Sequence, residues 1–151
     1  MSIFEKCIPN NTDLDQTYII EARMKSFILP ELPNNDELQS IASKISATTV
    51  DCFSYEYGRA PISLSSNDVK DIIEFYNKNI FTSVLTSFDN GKICVWVPDH
   101  HEYFVIFGSE AAVEMIKNSG IFEYPFDEYV TDLESPASKF VLLNMKKKYT
   151  V

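Results

Sequence analysis

Residues 81–108 read FTSVLTSFDNGKICVWVPDHHEYFVIFG, and this stretch decides the fold class. Phe81 to Phe88 and Lys92 to Val97 are rich in β-branched and aromatic residues, the composition of strands. Asp89-Asn90-Gly91 between them is a strong hairpin signal, because Asn and Gly adopt the positive φ that tight turns need. Pro98 stops the second strand, Asp99-His100-His101-Glu102 makes a second turn, and Tyr103 to Phe107 a third strand ended by Gly108. Three consecutive strands joined by short turns predict an antiparallel meander over about 81–107.

Working outward, Ser109 is placed to cap a helix through about Asn118, with Ala112, Val113 and Ile116 inward and Gly120 as its stop. Upstream, Ser65-Ser66-Asn67-Asp68 starts a helix to about Asn79, whose inner face is Val69, Ile72, Ile73, Tyr76 and Ile80. Val50 to Tyr57 reads as a strand, and Asp36 to Ala47 as an amphipathic helix on Leu38, Ile41, Ala42 and Ile45. Residues 13–29 mix helix and strand signals; Asp13 as a cap and Glu21 to Lys25 favour helix, ended by Pro30 and Pro33. Residues 1–12 read as irregular and 121–135 as a loop without period. Ser135-Pro136 opens a last helix, with Lys146, Lys147 and Lys148 at its negative end. At 151 residues with no linker or repeat, the chain is expected to form one domain over 1–151. The fold class is α+β: an antiparallel sheet of about four strands packed against several helices.

Charge narrows the function. Thirteen Lys and Arg against 22 Asp and Glu give a net charge of −9, the wrong sign for a non-specific nucleic-acid binder. No apolar run approaches the roughly 20 residues of a membrane span. The first residues lack a secretory h-region, and Cys7, Cys52 and Cys94 form neither a disulfide framework nor a zinc pattern. A cytoplasmic protein with reduced thiols is expected, Cys52 and Cys94 serving as small core residues.

Catalytic patterns are weak. His100 and His101 are adjacent, so on extended backbone they point apart, and a solvated turn is the expected reading. No serine lies in a Gly-x-Ser-x-Gly setting, and four isolated glycines cannot build a phosphate-cradling loop. No cofactor and no metal site is called for. The informative segment is 119–138, which holds Glu123, Asp127, Glu128, Asp132 and Glu134 without a Lys or Arg. Phe122, Tyr124, Phe126 and Tyr129 are interleaved with them. Acids steer a basic partner and aromatics anchor it, so Glu123, Tyr124, Phe126, Asp127, Glu128, Tyr129, Asp132 and Glu134 are the expected partner-binding residues. Tyr55-Glu56-Tyr57 extends that surface or lines an edge-strand face.

In character and order, the stretch from Phe81 to Ile116 resembles immunity proteins of contact-dependent growth inhibition and related polymorphic toxin systems. The likeness lies in strand, Asp-Asn-Gly turn, Trp-containing strand, turn, strand and capped helix. It implies no enzyme, but a stoichiometric inhibitor whose carboxylates occupy the cleft of a cognate basic toxin domain, in the way a nuclease cleft holds phosphates. That partner is a protein, with no direct nucleic acid and no membrane contact; the oligomeric state is left open. A ligand-binding or structural module, and an enzyme or metal site at His100 and His101, are the alternatives.

Overall fold

The computed structural model describes residues 2–122 and 125–151. Among them lies a six-stranded, wholly antiparallel sheet: β1 Lys25–Pro30, β2 Val50–Tyr55, β3 Ile62–Ser66, β4 Ser83–Phe88, β5 Ile93–Val97 and β6 Tyr103–Gly108. The order across the sheet is β1-β6-β5-β4-β2-β3. The expected meander is therefore its centre, flanked by β1 on one side and the β2–β3 hairpin on the other. Helices α1 Ile3–Cys7, α2 Gln16–Glu21, α3 Asn35–Lys44, α4 Val69–Lys78, α5 Glu110–Lys117, α6 Phe126–Asp132 and α7 Pro136–Tyr149 complete an α+β fold.

Both faces of the sheet are covered. Successive side chains of a strand point to opposite faces. Ile93, Val95 and Val97 enter a core with residues of α3, α4 and α5, while Cys94 and Trp96 enter a second core with residues of α1, α2, α6 and α7. This two-sided burial explains why β5 and β6 read as continuous apolar runs rather than alternating ones. In the second core the Trp96 indole N–H donates to the Tyr55 hydroxyl, and the Tyr149 hydroxyl donates to the Leu14 carbonyl at 2.9 Å.

Four regions differ from the sequence reading. Residues 13–29 are not one helix: α2 ends at Glu21, Arg23 turns at φ 56°, and β1 follows. Phe27, Ile28 and Leu29 are each buried in the sheet beside β6, and burying three large apolar side chains outweighs the helical preference of Glu21 to Lys25. Residues 3–7 are helical because Ser2 and Glu5 form a reciprocal capping box. The stretch 121–135 contains α6, seated by Phe126 and Val130. β3, Ile62-Ser63-Leu64-Ser65-Ser66, is a short edge strand whose last serines coincide with the start signal read for the next helix.

The β4–β5 turn is longer than a two-residue hairpin. Phe88 pairs with Ile93, so four residues lie between, and Asp89, Asn90 and Gly91 all carry positive φ. Asp89 is drawn out of the ladder toward the start of β2. Its amide donates to the Thr49 carbonyl at 2.9 Å, and its carboxylate accepts from the amides of Thr48 at 2.8 Å and Thr49 at 3.1 Å. The Thr48 amide, above all, holds the Asp89 carboxyl below its ordinary range. A lowered folded-state pKa stabilises above the unfolded value and loses that stabilisation as pH falls through the folded value. Asp89→Asn is expected to cost about 1 kcal/mol at neutral pH, discounted for its partial exposure. The difference from the parent should shrink as pH falls through the carboxylate range in paired urea titrations.

All three cysteines are buried and free. Burial pushes the thiols of Cys52 and Cys94 up to about 12, and raises that of Cys7. Since the thiolate is the reactive form, native protein should consume less than about one equivalent of a thiol reagent in an hour, and three equivalents once unfolded in urea.

Candidate protein-binding surface

The topology gathers one end of the sheet from distant parts of the chain. Tyr55 pairs with Ser83, Val84 with Val97 and Pro30 with Tyr103. The C-terminal ends of β1, β2 and β5 therefore lie beside the N-terminal ends of β4 and β6. Glu31 follows β1, Glu56 and Tyr57 follow β2, Phe81 precedes β4, and Asp99 to Glu102 join β5 to β6.

Glu31 and Glu102 are joined through their main chains. The Glu31 amide donates to the Glu102 carbonyl at 3.1 Å, which ties the β1–α3 connection to the β5–β6 turn. Beside them is a cleft of about 410 Å³ lined by Pro30, Glu31, Leu32, Asn34, Glu37 and Tyr129. No Lys or Arg is among those residues. Burial, then the nearby charges of Glu31 and Glu102, raise the Tyr129 hydroxyl above its ordinary pKa. Glu37 is already engaged through one oxygen, which accepts from the Asn34 amide at 2.9 Å in the capping box of α3.

The same end exposes two large aromatics, Phe81 at 86% and Tyr57 at 81%. Tyr57 lies two residues beyond Tyr55 and Phe81 two residues before Ser83, the last pair of the β2–β4 ladder. Glu56 is exposed there and pairs with Arg59 at 3.1 Å. Tyr55 itself is spent on the core through Trp96, so of the Tyr55-Glu56-Tyr57 segment only the last two residues face outward.

The expected site of 123–134 is redistributed by the structure. Phe126 is 7% exposed and packs in the second core, so its ring seats α6 and is closed to a partner. Asp127 forms an ion pair with Lys146 that fastens α6 to α7, and the Lys139 ammonium donates to the Thr131 carbonyl at 3.3 Å. Part of the C-terminal lysine run thus serves the acidic helix as well as the helix dipole. Glu128, Asp132 and Glu134 are exposed, and Tyr129 is half-buried at the cleft. Glu123 and Tyr124 lie outside the described residues.

The histidine turn has local partners. The His101 ring Nε2 is hydrogen-bonded to the Ile80 carbonyl, pinning the β5–β6 turn to the segment before β4. The His100 Nδ1 accepts from the Glu102 amide at 3.4 Å, and its ring lies 5.0 Å from that of Tyr103. Among the described residues, no three His, Cys, Asp or Glu are grouped to hold a metal ion. No helix among them is long and apolar enough to cross a membrane.

Sequence reasoning named Tyr57 within Tyr55-Glu56-Tyr57 and Glu102 only as part of a solvated turn, and it missed Glu31 and the exposure of Phe81. Nothing in the chain order of those residues signals their neighbourhood; strand pairing alone creates it. Comparison with family models, curated proteins and solved structures found no match to this chain.

Proposed function

We propose that this chain is an immunity-type inhibitor that binds a basic protein domain stoichiometrically and occupies its active-site cleft. The observation that carries the reading is the sheet end, where Tyr57 and Phe81 are exposed and where the connections that hold Glu31, Glu56, Asp99 and Glu102 lie at the same end. Large aromatics left in water at an end rich in acidic charge suit a recognition surface: the rings supply anchors and the carboxylates meet Lys or Arg. Tyr129 of α6 lines the cleft beside Glu31, and Glu128, next to it in α6, is exposed. The polar lining of that cleft suits a basic side chain better than an apolar metabolite. A toxin nuclease has such a basic surface where it holds phosphates, and the carboxylates stand in for them. Long-range attraction between a partner of that kind and a chain of net charge −9 makes association fast and salt-dependent.

The test is co-purification with the basic domain encoded beside this chain's gene, followed by binding kinetics. Tyr57→Ala with Phe81→Ala should weaken the complex by about 2–4 kcal/mol, mostly through faster dissociation. Glu31→Gln with Glu102→Gln should slow association about tenfold at low salt. A complex unchanged by both pairs of substitutions, in variants that keep the parent's circular dichroism, removes this surface as the docking site.

A further inference from the structure

We infer that the outward face of α7 is a self-association surface, and that two copies of this chain pair through it antiparallel about a two-fold axis. The inference rests on α7 and Glu134 alone and is independent of the sheet end. Phe140, Val141 and Leu143 are 67%, 45% and 46% exposed, although each is large and apolar. The opposite side of α7 is already used, with Leu142 and Tyr149 buried in the second core. Pro136, Phe140, Leu143 and Lys147 follow one another at spacings of four, three and four residues, a single stripe along the helix. All four are exposed.

The order of that stripe selects the occupant. Reversing one helix over another about a point midway between Phe140 and Leu143 brings Phe140 of each copy opposite Leu143 of the other. The same operation sets Lys147 of each copy opposite Pro136 of the other. Glu134, exposed and two residues before Pro136, then lies beside that lysine. The pattern thus meets its own image with apolar on apolar at the centre and opposite charge at both ends, the requirement of an isologous interface. Lys146 and Lys139 do not enter the contact, because they hold α6 within the same copy. A 14-residue helix is only about 21 Å long, so the buried area is at the small end for a specific interface. The dimer is accordingly weak, with Kd of about 10–100 μM.

Sedimentation velocity over about 5–500 μM of the full chain tests this, a range bracketing the expected Kd. The sedimentation coefficient should rise with concentration toward that of a dimer. Phe140→Asp with Leu143→Asp should raise Kd more than tenfold. Because two acidic changes also alter the helix itself, charge reversal provides the second arm. Glu134→Lys should weaken the dimer about threefold at low salt, and adding Lys147→Glu to the same chain should restore it, since both ends of the interface are swapped together. A parent chain that stays monomeric throughout overturns the inference. So does a dimer indifferent to these substitutions, which would place the contact elsewhere, for example on the open edge of β3.

Discussion

Trp96→Ala is expected to cost about 3–5 kcal/mol, the range for emptying a large aromatic site in a core. The indole is fully buried on β5, under the layer formed by α1, α2, α6 and α7. Its ring lies 5.5 Å from that of Tyr149 and 6.1 Å from that of Tyr103, so it joins the sheet to the C-terminal helix. Deletion opens a cavity that these rigid rings cannot collapse to fill, and it removes the hydrogen bond that the indole donates to the Tyr55 hydroxyl. Native stability is typically about 5–15 kcal/mol, so the variant should sit near the limit of folding. Urea unfolding followed by circular dichroism should show a lower midpoint with an unchanged slope. Trp96→Phe separates the two causes, since it restores most of the volume but not the hydrogen bond. A loss below about 1 kcal/mol in the Ala variant would mean that this layer packs loosely, against the burial seen.

That layer also shows what could be read from the chain in advance. β4, β5 and β6 were legible because their burial on both faces yields long runs of β-formers, punctuated by Asn90-Gly91 and Pro98. The same two-sided burial made β1 ambiguous. Ser26 to Leu29 are all buried, and a short apolar run without alternation cannot be told from a helix segment by periodicity. β1 is also met at Ser26 by residues 149–151. The Ser26 hydroxyl donates to the Tyr149 carbonyl at 2.6 Å, and the Val151 amide to the Ser26 carbonyl at 3.3 Å. A partner 123 residues away leaves no local trace. The helix α6 escaped notice because only Phe126 and Val130 mark its inner face among acids. For the candidate surface, the acidic composition was visible but its place was not. The aromatics of 122–129 that looked available include Phe126, which folding consumes, whereas Phe81 looked like the start of a buried strand and stands 86% exposed.

Gly108→Ala is expected to be as damaging as loss of the tryptophan ring, through a different cause. Gly108 closes β6 between two neighbours, paired with Lys25 of β1 and Ile93 of β5. A Cβ at this position would sit 2.2 Å from the Lys92 carbonyl oxygen and 3.1 Å from the Ile93 Cα. Both obstacles are backbone, so no side chain can swing aside. Its φ of +157° adds a conformation that residues with a Cβ rarely take. The Lys92 carbonyl is itself fixed, accepting from the Ser109 amide at 3.1 Å, and Ser109 caps α5. Relief of the clash must therefore move the start of β5, the Asp89–Lys92 turn and the cap of α5 together. A cost of about 3–5 kcal/mol is expected in urea unfolding, in the range reserved for backbone strain joined to overpacking. Gly120→Ala is the control. Its φ of +78° is also unfavourable to a Cβ, but nothing lies within 4 Å, so about 1–2 kcal/mol is expected. Hydrogen exchange locates the damage: in the Gly108 variant the amides of Lys92 and Ser109 should lose protection before those of β4 and the centre of β6. Equal costs at the two glycines would show that conformation alone sets the penalty and that β5 can yield to the new methyl group.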